Sequence, residues 1–228
     1  MSTAVVTGAS RGIGRATALA LAAKGLDVAL LARSTDELEA VAGAVVREHG
    51  VKALAIRCDV TQASDVSRAC ELVTDELGAP SVLVNNAGMI RRSLVHEMSP
   101  DDFRLVLDTN LFGTFLVTRA FLPSMLARNV GRVIQVASIS STLGSARASA
   151  YCAAKWGVVG FTKSLAEELR GTGLATLSVL PGSVATAMLE GSGFAPKMSA
   201  EDVAGIIVYA ALEAPQAMNG SSIEAFGP

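Results

Sequence analysis

Histidine and cysteine are scarce in this 228-residue chain, and their scarcity excludes whole classes of chemistry. The two histidines, His49 and His96, lie far apart in sequence, and the three cysteines, Cys58, Cys70 and Cys152, follow no regular spacing. Zinc-type sites need clustered imidazoles and thiolates, so no metal centre is expected. An odd number of irregularly spaced cysteines reads as reduced thiols in a cytoplasmic protein rather than a disulfide framework. Long runs are missing too. There is no Lys/Arg-rich stretch and the formal net charge is -2, which speaks against a nucleic-acid partner. Half of the residues are hydrophobic, yet no run of about 18 consecutive apolar residues occurs, so neither a transmembrane helix nor a membrane partner is expected. Met1-Ser2-Thr3 leads straight into an apolar segment, leaving no charged start for a signal peptide. No linker, charge block or repeat divides the chain. One domain over residues 1–228 is expected, since single α/β domains commonly reach roughly 200–250 residues.

What is present is a regular alternation of strand-like and helix-like segments. Strands are expected at Ala4–Thr7, Asp27–Ala32, Ala53–Cys58, Ser81–Asn85, Arg132–Ala137, Ala175–Leu180 and Ser222–Phe226. Helices are expected at Ile13–Lys24, Asp36–His49, Ala63–Leu77, Asp101–Arg128, Ala150–Arg170 and Ala200–Glu213. Several strands are almost wholly apolar, as parallel strands covered on both faces must be. The pattern predicts an α/β doubly wound parallel sheet of about seven strands with helices on both faces. Gly25 reads as the stop after the first helix. Ser99-Pro100-Asp101-Asp102 reads as a cap with proline at the first helical position, and Ser34-x-x-Glu37 as a capping box.

Gly8-Ala9-Ser10-Arg11-Gly12-Ile13-Gly14 joins the first strand to the first helix. Glycines at such a junction let a pyrophosphate approach the amides at a helix N-terminus. The spacing is neither G-x-G-x-x-G nor a Walker loop, and the turn by itself is compatible with a simple tight bend. The position after the second strand separates the dinucleotides, because an acid there suits the ribose hydroxyls of NAD and an arginine the 2′-phosphate of NADP. Here it is Arg33, and Arg11 in the glycine turn can reach the same phosphate. Two guanidinium groups favour a dianion, so NADP(H) is expected over NAD(H).

Tyr151 and Lys155 are four apart at the start of an expected helix and therefore share a face. A phenol titrates near 10, too high for easy proton exchange at neutrality, and a neighbouring ammonium is expected to lower that value. Such a pair suits a general acid for carbonyl reduction or a general base for alcohol oxidation. Ser138, at the carboxyl end of a strand, faces the ligand crevice of an open α/β sheet and is placed to hydrogen-bond a reacting oxygen. Taken singly, each residue has an ordinary reading as surface or turn.

Thr7-Gly8-x-x-x-Gly12-Ile13-Gly14, Asn85-Asn86-Ala87-Gly88, Asn110, Ser138, Tyr151-x-x-x-Lys155 and Pro181-Gly182 together resemble the ordered motif set of the short-chain dehydrogenase/reductase family. The resemblance spans nearly the whole chain and implies a Rossmann-type fold. It implies that Tyr151 exchanges the proton, that Lys155 tunes Tyr151 and binds the nicotinamide ribose, and that Ser138 orients the substrate oxygen. Asn110 would hold a water continuing a proton relay from Lys155. Asp59 and Val60 would bracket the adenine, Asn86, Ala87 and Gly88 would line the cofactor crevice, and Pro181, Gly182, Val184 and Thr186 would face the nicotinamide. Cys152 reads as packing.

Two stretches depart from the family pattern. Between Thr186 and Ser199 the chain is short and polar where relatives carry a longer substrate lid, and the end lacks the usual Asp-Gly-Gly. A homo-oligomer, tetramer or dimer, is the family expectation, and the altered end bears on its packing. The segment Asn85–Arg92 is similar to 3-oxoacyl-[acyl-carrier-protein] reductases, which gives a 3-oxoacyl thioester as the first expectation for substrate. Arg91, Arg92, Arg128 and Arg170 are candidates to dock an acidic carrier. Alternatives are a broad-specificity carbonyl reductase or a sugar-acid dehydrogenase and, from another class, a non-catalytic NADP(H)-sensing regulator.

Overall fold

The computed structural model describes residues 2–228. The strands are β1 (Thr3–Thr7), β2 (Asp27–Ala32), β3 (Ala53–Arg57), β4 (Val82–Asn85), β5 (Gly131–Val136), β6 (Leu174–Pro181) and β7 (Ser222–Ala225). Each end falls within one residue of the sequence expectation. All seven are parallel and join one sheet in the order β3-β2-β1-β4-β5-β6-β7. The order reverses between β1 and β4, and a crevice opens at the carboxyl ends of strands where such a reversal occurs.

Period-two alternation divides the core into two layers. Val6, Val28, Leu30, Val84, Ile134 and Val136 point toward α1 (Gly12–Ala23), α2 (Thr35–His49) and α7 (Ala200–Leu212). Val5, Ala29, Leu31, Leu83 and Val133 point toward α3 (Ala63–Leu77), α5 (Gly113–Arg128) and α6 (Ser149–Glu168). Burial of a leucine or valine side chain contributes about 1.5–3 kcal/mol, so both faces stabilise the sheet and neither can be left to solvent.

The helix expected over Asp101–Arg128 is interrupted. α4 (Pro100–Leu107) passes through a wide π-type turn, Asp108–Phe112, into α5. The cause is the buried Asn110. Its Nδ2 donates to the carbonyls of Val106 and Met89, both at 2.8 Å, and its Oδ1 accepts from the Met89 N–H at 3.2 Å. Thr114 Oγ1 donates to the Asn110 carbonyl at 2.9 Å. Side chains inserted into the helical ladder are a common origin of such bulges. By length and hydropathy the combined run Pro100–Arg128 would suffice to cross a membrane. Here its residues Leu116, Val117, Phe121 and Met125 pack on the sheet.

Ser99 caps α4 as expected, accepting from the Asp102 N–H at 3.0 Å with Pro100 in the first turn. The box expected at Ser34 does not form. Ser34 is the cap residue of α2, but its hydroxyl accepts nothing from the first turn, and Asp36 and Glu37 instead meet the positive end of the helix. A reciprocal box does exist at the start of α7, between Ser199 and Asp202.

Candidate active site

The floor of the crevice is made by β1 and β4. Thr7 Oγ1 accepts from the N–H groups of Asn86 and Ala87, both at 3.0 Å, and Asn86 Nδ2 returns to the Thr7 carbonyl at 2.9 Å and the Gly8 carbonyl at 3.3 Å. These bonds fix the turn after β1 against the turn after β4. Gly8 has φ +64°, and a side chain on Gly14 would collide with the Gly8 carbonyl and the Asn86 amide. Helix α1 therefore starts hard against the floor. Arg11 occupies its cap position without a side-chain bond, and no acidic residue stands in its first turn. The first-turn N–H groups are thus left for an anion, which the helix dipole also favours.

Gly12, Ile13, Ser10 and Ala87 surround this cradle, and Thr186 closes it from the loop after β6. A Cβ on Gly12 would lie 3.3 Å from the Thr186 methyl group. Pro181 ends β6, Gly182 donates to the Ala225 carbonyl at 2.7 Å, and Val184 bridges to Met198, which holds the same loop beside the crevice. Arg11 and Arg33 follow the neighbouring strands β1 and β2; both are exposed, and neither has a carboxylate within 4.0 Å among the described residues. Asp59 accepts from Thr61 N and Oγ1 at 3.0 and 2.8 Å, and Val60 is buried against Gly113. An uncapped helix start, a space only glycine permits and two free guanidinium groups fit a nicotinamide dinucleotide.

Ser138, Tyr151, Lys155 and Asn110 converge at the same edge, all buried. Lys155 Nζ donates to the Val136 carbonyl at 2.7 Å and lies 5.7 Å from the centre of the Tyr151 ring. Gly88 is wedged beside this pair, where a Cβ would stand 2.6 Å from Asn110 Oδ1 and 3.6 Å from Lys155 Nζ. The Ser138 oxygen accepts from the Ser140 N–H at 3.1 Å, which leaves its proton available to the crevice. The Asn110 amide is fully committed to Met89 and Val106, so a water at this residue would have to meet its main chain or the remaining lone pair of Oδ1.

Burial governs the two key titrations. The Lys155 ammonium is pushed down from 10.5 to about 8 by loss of solvent. The Tyr151 phenol moves up, against the expectation that its lysine would lower it. Burial is the largest cause, and Ser138 and the Arg92 charge pull it partly back. Cys152 packs against the buried cluster of Val106, Ala148, Ala150 and Tyr151, while burial raises the Cys58 thiol to about 12 and makes it a poor nucleophile. In the sequence Thr7 stands only as part of the glycine motif and Arg92 only as a carrier-docking candidate. The hydroxyl that pins the turn after β4 and the arginine bond to the Met188 carbonyl come from tertiary contacts that local sequence does not signal.

A parallel sheet with a dinucleotide cradle at its reversal and a buried Tyr/Lys pair on the same edge defines an oxidoreductase of the hydride-transferring kind. Known proteins agree. The family profile described as short chain dehydrogenase matches residues 2–195. The chain is 39% identical over 219 residues to the 3-oxoacyl-[acyl-carrier-protein] reductase of Synechocystis sp., covering 96% of this chain and 86% of that one. It is 38% identical over 185 residues to the corresponding reductase of Vibrio harveyi, covering 81% and 74%. It superposes on a short-chain type dehydrogenase/reductase from Mycobacterium marinum with a TM-score of 0.93 at 34% identity, covering 99% and 94%. It also superposes on an alcohol dehydrogenase from the archaeon Thermococcus sibiricus complexed with 5-hydroxy-NADP, with a TM-score of 0.90 at 29% identity, covering 99% and 96%. The chain belongs to the short-chain dehydrogenase/reductase family and is an oxidoreductase acting between CH–OH and C=O groups with a nicotinamide dinucleotide.

Proposed function

We propose that the protein reduces a 3-oxoacyl thioester to the 3-hydroxyacyl thioester with NADPH. The observation that carries this reading is the convergence of Tyr151, Lys155 and Ser138 beside the glycine cradle. Bound NADPH supplies the hydride. Tyr151 donates its proton to the carbonyl oxygen, and the Ser138 hydroxyl hydrogen-bonds the same oxygen as charge develops on it. A phenol kept neutral by burial is in the protonation state that reduction requires. Lys155, anchored on Val136, stands where it can return a proton to Tyr151 and hold the nicotinamide ribose. Asn110 opens the helix beside it and offers the end of a water relay. Arg11 and Arg33 would pair with the 2′-phosphate, which supports NADP(H) over NAD(H). Asp59 and Val60 would flank the adenine.

The similarity to 3-oxoacyl-[acyl-carrier-protein] reductases supports the substrate. The charge pattern narrows the proposed docking of a carrier. Arg91 is paired with Asp102 at 3.4 Å and Arg170 with Glu167 at 2.6 Å, whereas Arg92 and Arg128 donate to main-chain carbonyls and keep their full charge. The second reading, reduction of other small carbonyls, rests on the short segment after Thr186. We further propose a cytoplasmic homo-oligomer. Phe112 and Phe115 stack at 5.9 Å on the outer face of α5 and its preceding turn, and Trp156 on α6 is 55% exposed. Exposed aromatics of this kind favour burial against a second copy, which sedimentation velocity would reveal as a species larger than the 23.4 kDa chain.

The deciding experiment follows NADPH oxidation with acetoacetyl-CoA, an acetoacetyl carrier thioester and a sugar keto acid. Tyr151→Phe should lower kcat by about 100- to 10,000-fold while NADPH still binds. Equal activity of this variant would overturn the assigned proton donor, and preference for the keto acid would overturn the thioester. NADPH binding without turnover on any of them would revive the sensing regulator.

A further inference from the structure

Three loops leave the carboxyl edge of the sheet, after β4, β5 and β6, and two adjacent residues tie them together. The Ser93 N–H, in the loop after β4, donates to the Arg147 carbonyl in the loop after β5 at 3.0 Å. Arg92 Nη2 donates to the Met188 carbonyl at 3.0 Å, in the short helical turn Ala187–Leu189 after β6. The second bond spans 96 positions of sequence.

That bond has an unusual place in the loop it reaches. Among the described residues, segment 187–196 makes its other hydrogen bonds within itself or to Thr186. Leu189 donates to Thr186, Glu190 to Ala187, Ser192 to Leu189 and Phe194 to the Ser192 hydroxyl. Its large side chains anchor it little, because Met188 is 38% and Phe194 65% exposed and only Leu189 is partly buried. A segment with few outside contacts opens at low free energy, so a single charge-assisted tie controls how it is held. Arg92 itself is only half-exposed and has no carboxylate within 4.0 Å among the described residues, so no ion pair competes for its donors. Its charge also acts on the Tyr151 phenol, though less than burial does.

We propose that Arg92 is a positioning residue: its guanidinium fastens segment 187–196 over the crevice that holds Tyr151 and thereby sets how tightly the carbonyl substrate is held. The proposal rests on the reading of that crevice as the reducing site. It separates binding from chemistry, since fastening the loop changes the population of closed crevice and leaves the Tyr151, Ser138 and Lys155 contacts in place.

Arg92→Gln and Arg92→Lys test it with two independent readouts. The first is steady-state reduction of acetoacetyl-CoA by NADPH. The second is the rate of Glu-C cleavage after Glu190 in the protein without substrate, followed by mass spectrometry. Arg92→Gln should raise the acetoacetyl-CoA KM about tenfold, by a larger factor than it lowers kcat, and speed cleavage after Glu190 by a similar factor. Arg92→Lys should recover most of both, because an ammonium can donate to the same carbonyl. Unchanged cleavage in Arg92→Gln would overturn the proposal, as would a joint fall of kcat and kcat/KM that lysine does not rescue. Cleavage needs no turnover. If the unaltered protein reduces no acetoacetyl-CoA, the substrate reading fails and the cleavage rates alone decide the role of Arg92.

Discussion

The ammonium of Lys155 donates to the main-chain carbonyl of Val136 at 2.7 Å, so the middle of the site is built by a bond between α6 and the end of β5. One contact both places the nitrogen beside Tyr151 and partly compensates a charge taken out of water. The compensation is incomplete, as the fall of its titration to about 8 shows.

That fall makes stability depend on pH. Between about 8 and 10.5 the unfolded chain holds the lysine proton and the folded chain has lost it. Stability therefore rises with pH across this window, and below it the full cost of the buried charge is present. Lys155→Met removes the titration. At pH 7 the variant should be the more stable, and its advantage should shrink by roughly 3 kcal/mol on going to pH 10.5. Denaturant unfolding of both proteins at the two pH values measures the change, and a constant gap would show that burial does not depress this lysine.

Cofactor choice should follow Arg33. It is exposed, follows β2 and has no carboxylate partner among the described residues, so its charge is available to a phosphate. Arg33→Asp should cut the NADPH/NADH ratio of kcat/KM by about 10- to 100-fold, the value of about 1.4–2.7 kcal/mol in a charge-assisted contact. An unaltered ratio would assign the phosphate to Arg11 alone.

Arg147 holds a left-handed backbone, φ +63°, in the loop before α6. That conformation costs an L-residue with a long side chain about 1–2 kcal/mol. Glycine adopts it freely but loses more chain entropy on folding, about 0.4–1 kcal/mol. Arg147→Gly should leave the Ser93 bond to the residue 147 carbonyl intact and raise stability by about 0.5–1 kcal/mol. A loss of stability on thermal unfolding would mean that the arginine side chain contributes more than its backbone costs.

The sequence was most legible where local chemistry and tertiary packing ask for the same thing. Strands were readable because both faces of Val5, Val6, Leu30, Leu31, Leu83 and Val84 are covered, which demands continuous apolar runs. The glycine turn and the Tyr/Lys pair were readable because their spacing is set by backbone geometry. Asn110 taken alone reads as a polar residue that interrupts a helix, and the helix does open there through its local bond to the Val106 carbonyl; its partners at Met89, distant in sequence, are not legible. Ser34 and Ser199 carry nearly the same short pattern, yet only Ser199 closes a capping box. The direction of the Tyr151 shift is hidden from the sequence for a related reason. Its lysine partner is four residues away in sequence, while the burial that outweighs it comes from the assembled site.

The bond from the Thr7 hydroxyl to the Val84 carbonyl joins residues 77 positions apart. β1 is central in the sheet, yet it reaches the ribosome exit long before β4, the neighbour it needs on that side. At synthesis rates of about 5–20 residues per second, that strand waits several seconds with one hydrogen-bonding edge open. Pairings this distant close slowly and expose apolar edges while they do so. The same topology that sets the cofactor crevice at the middle of the sheet therefore makes its formation a late event, and a newly made chain acquires the cradle only after most of its sheet has been translated.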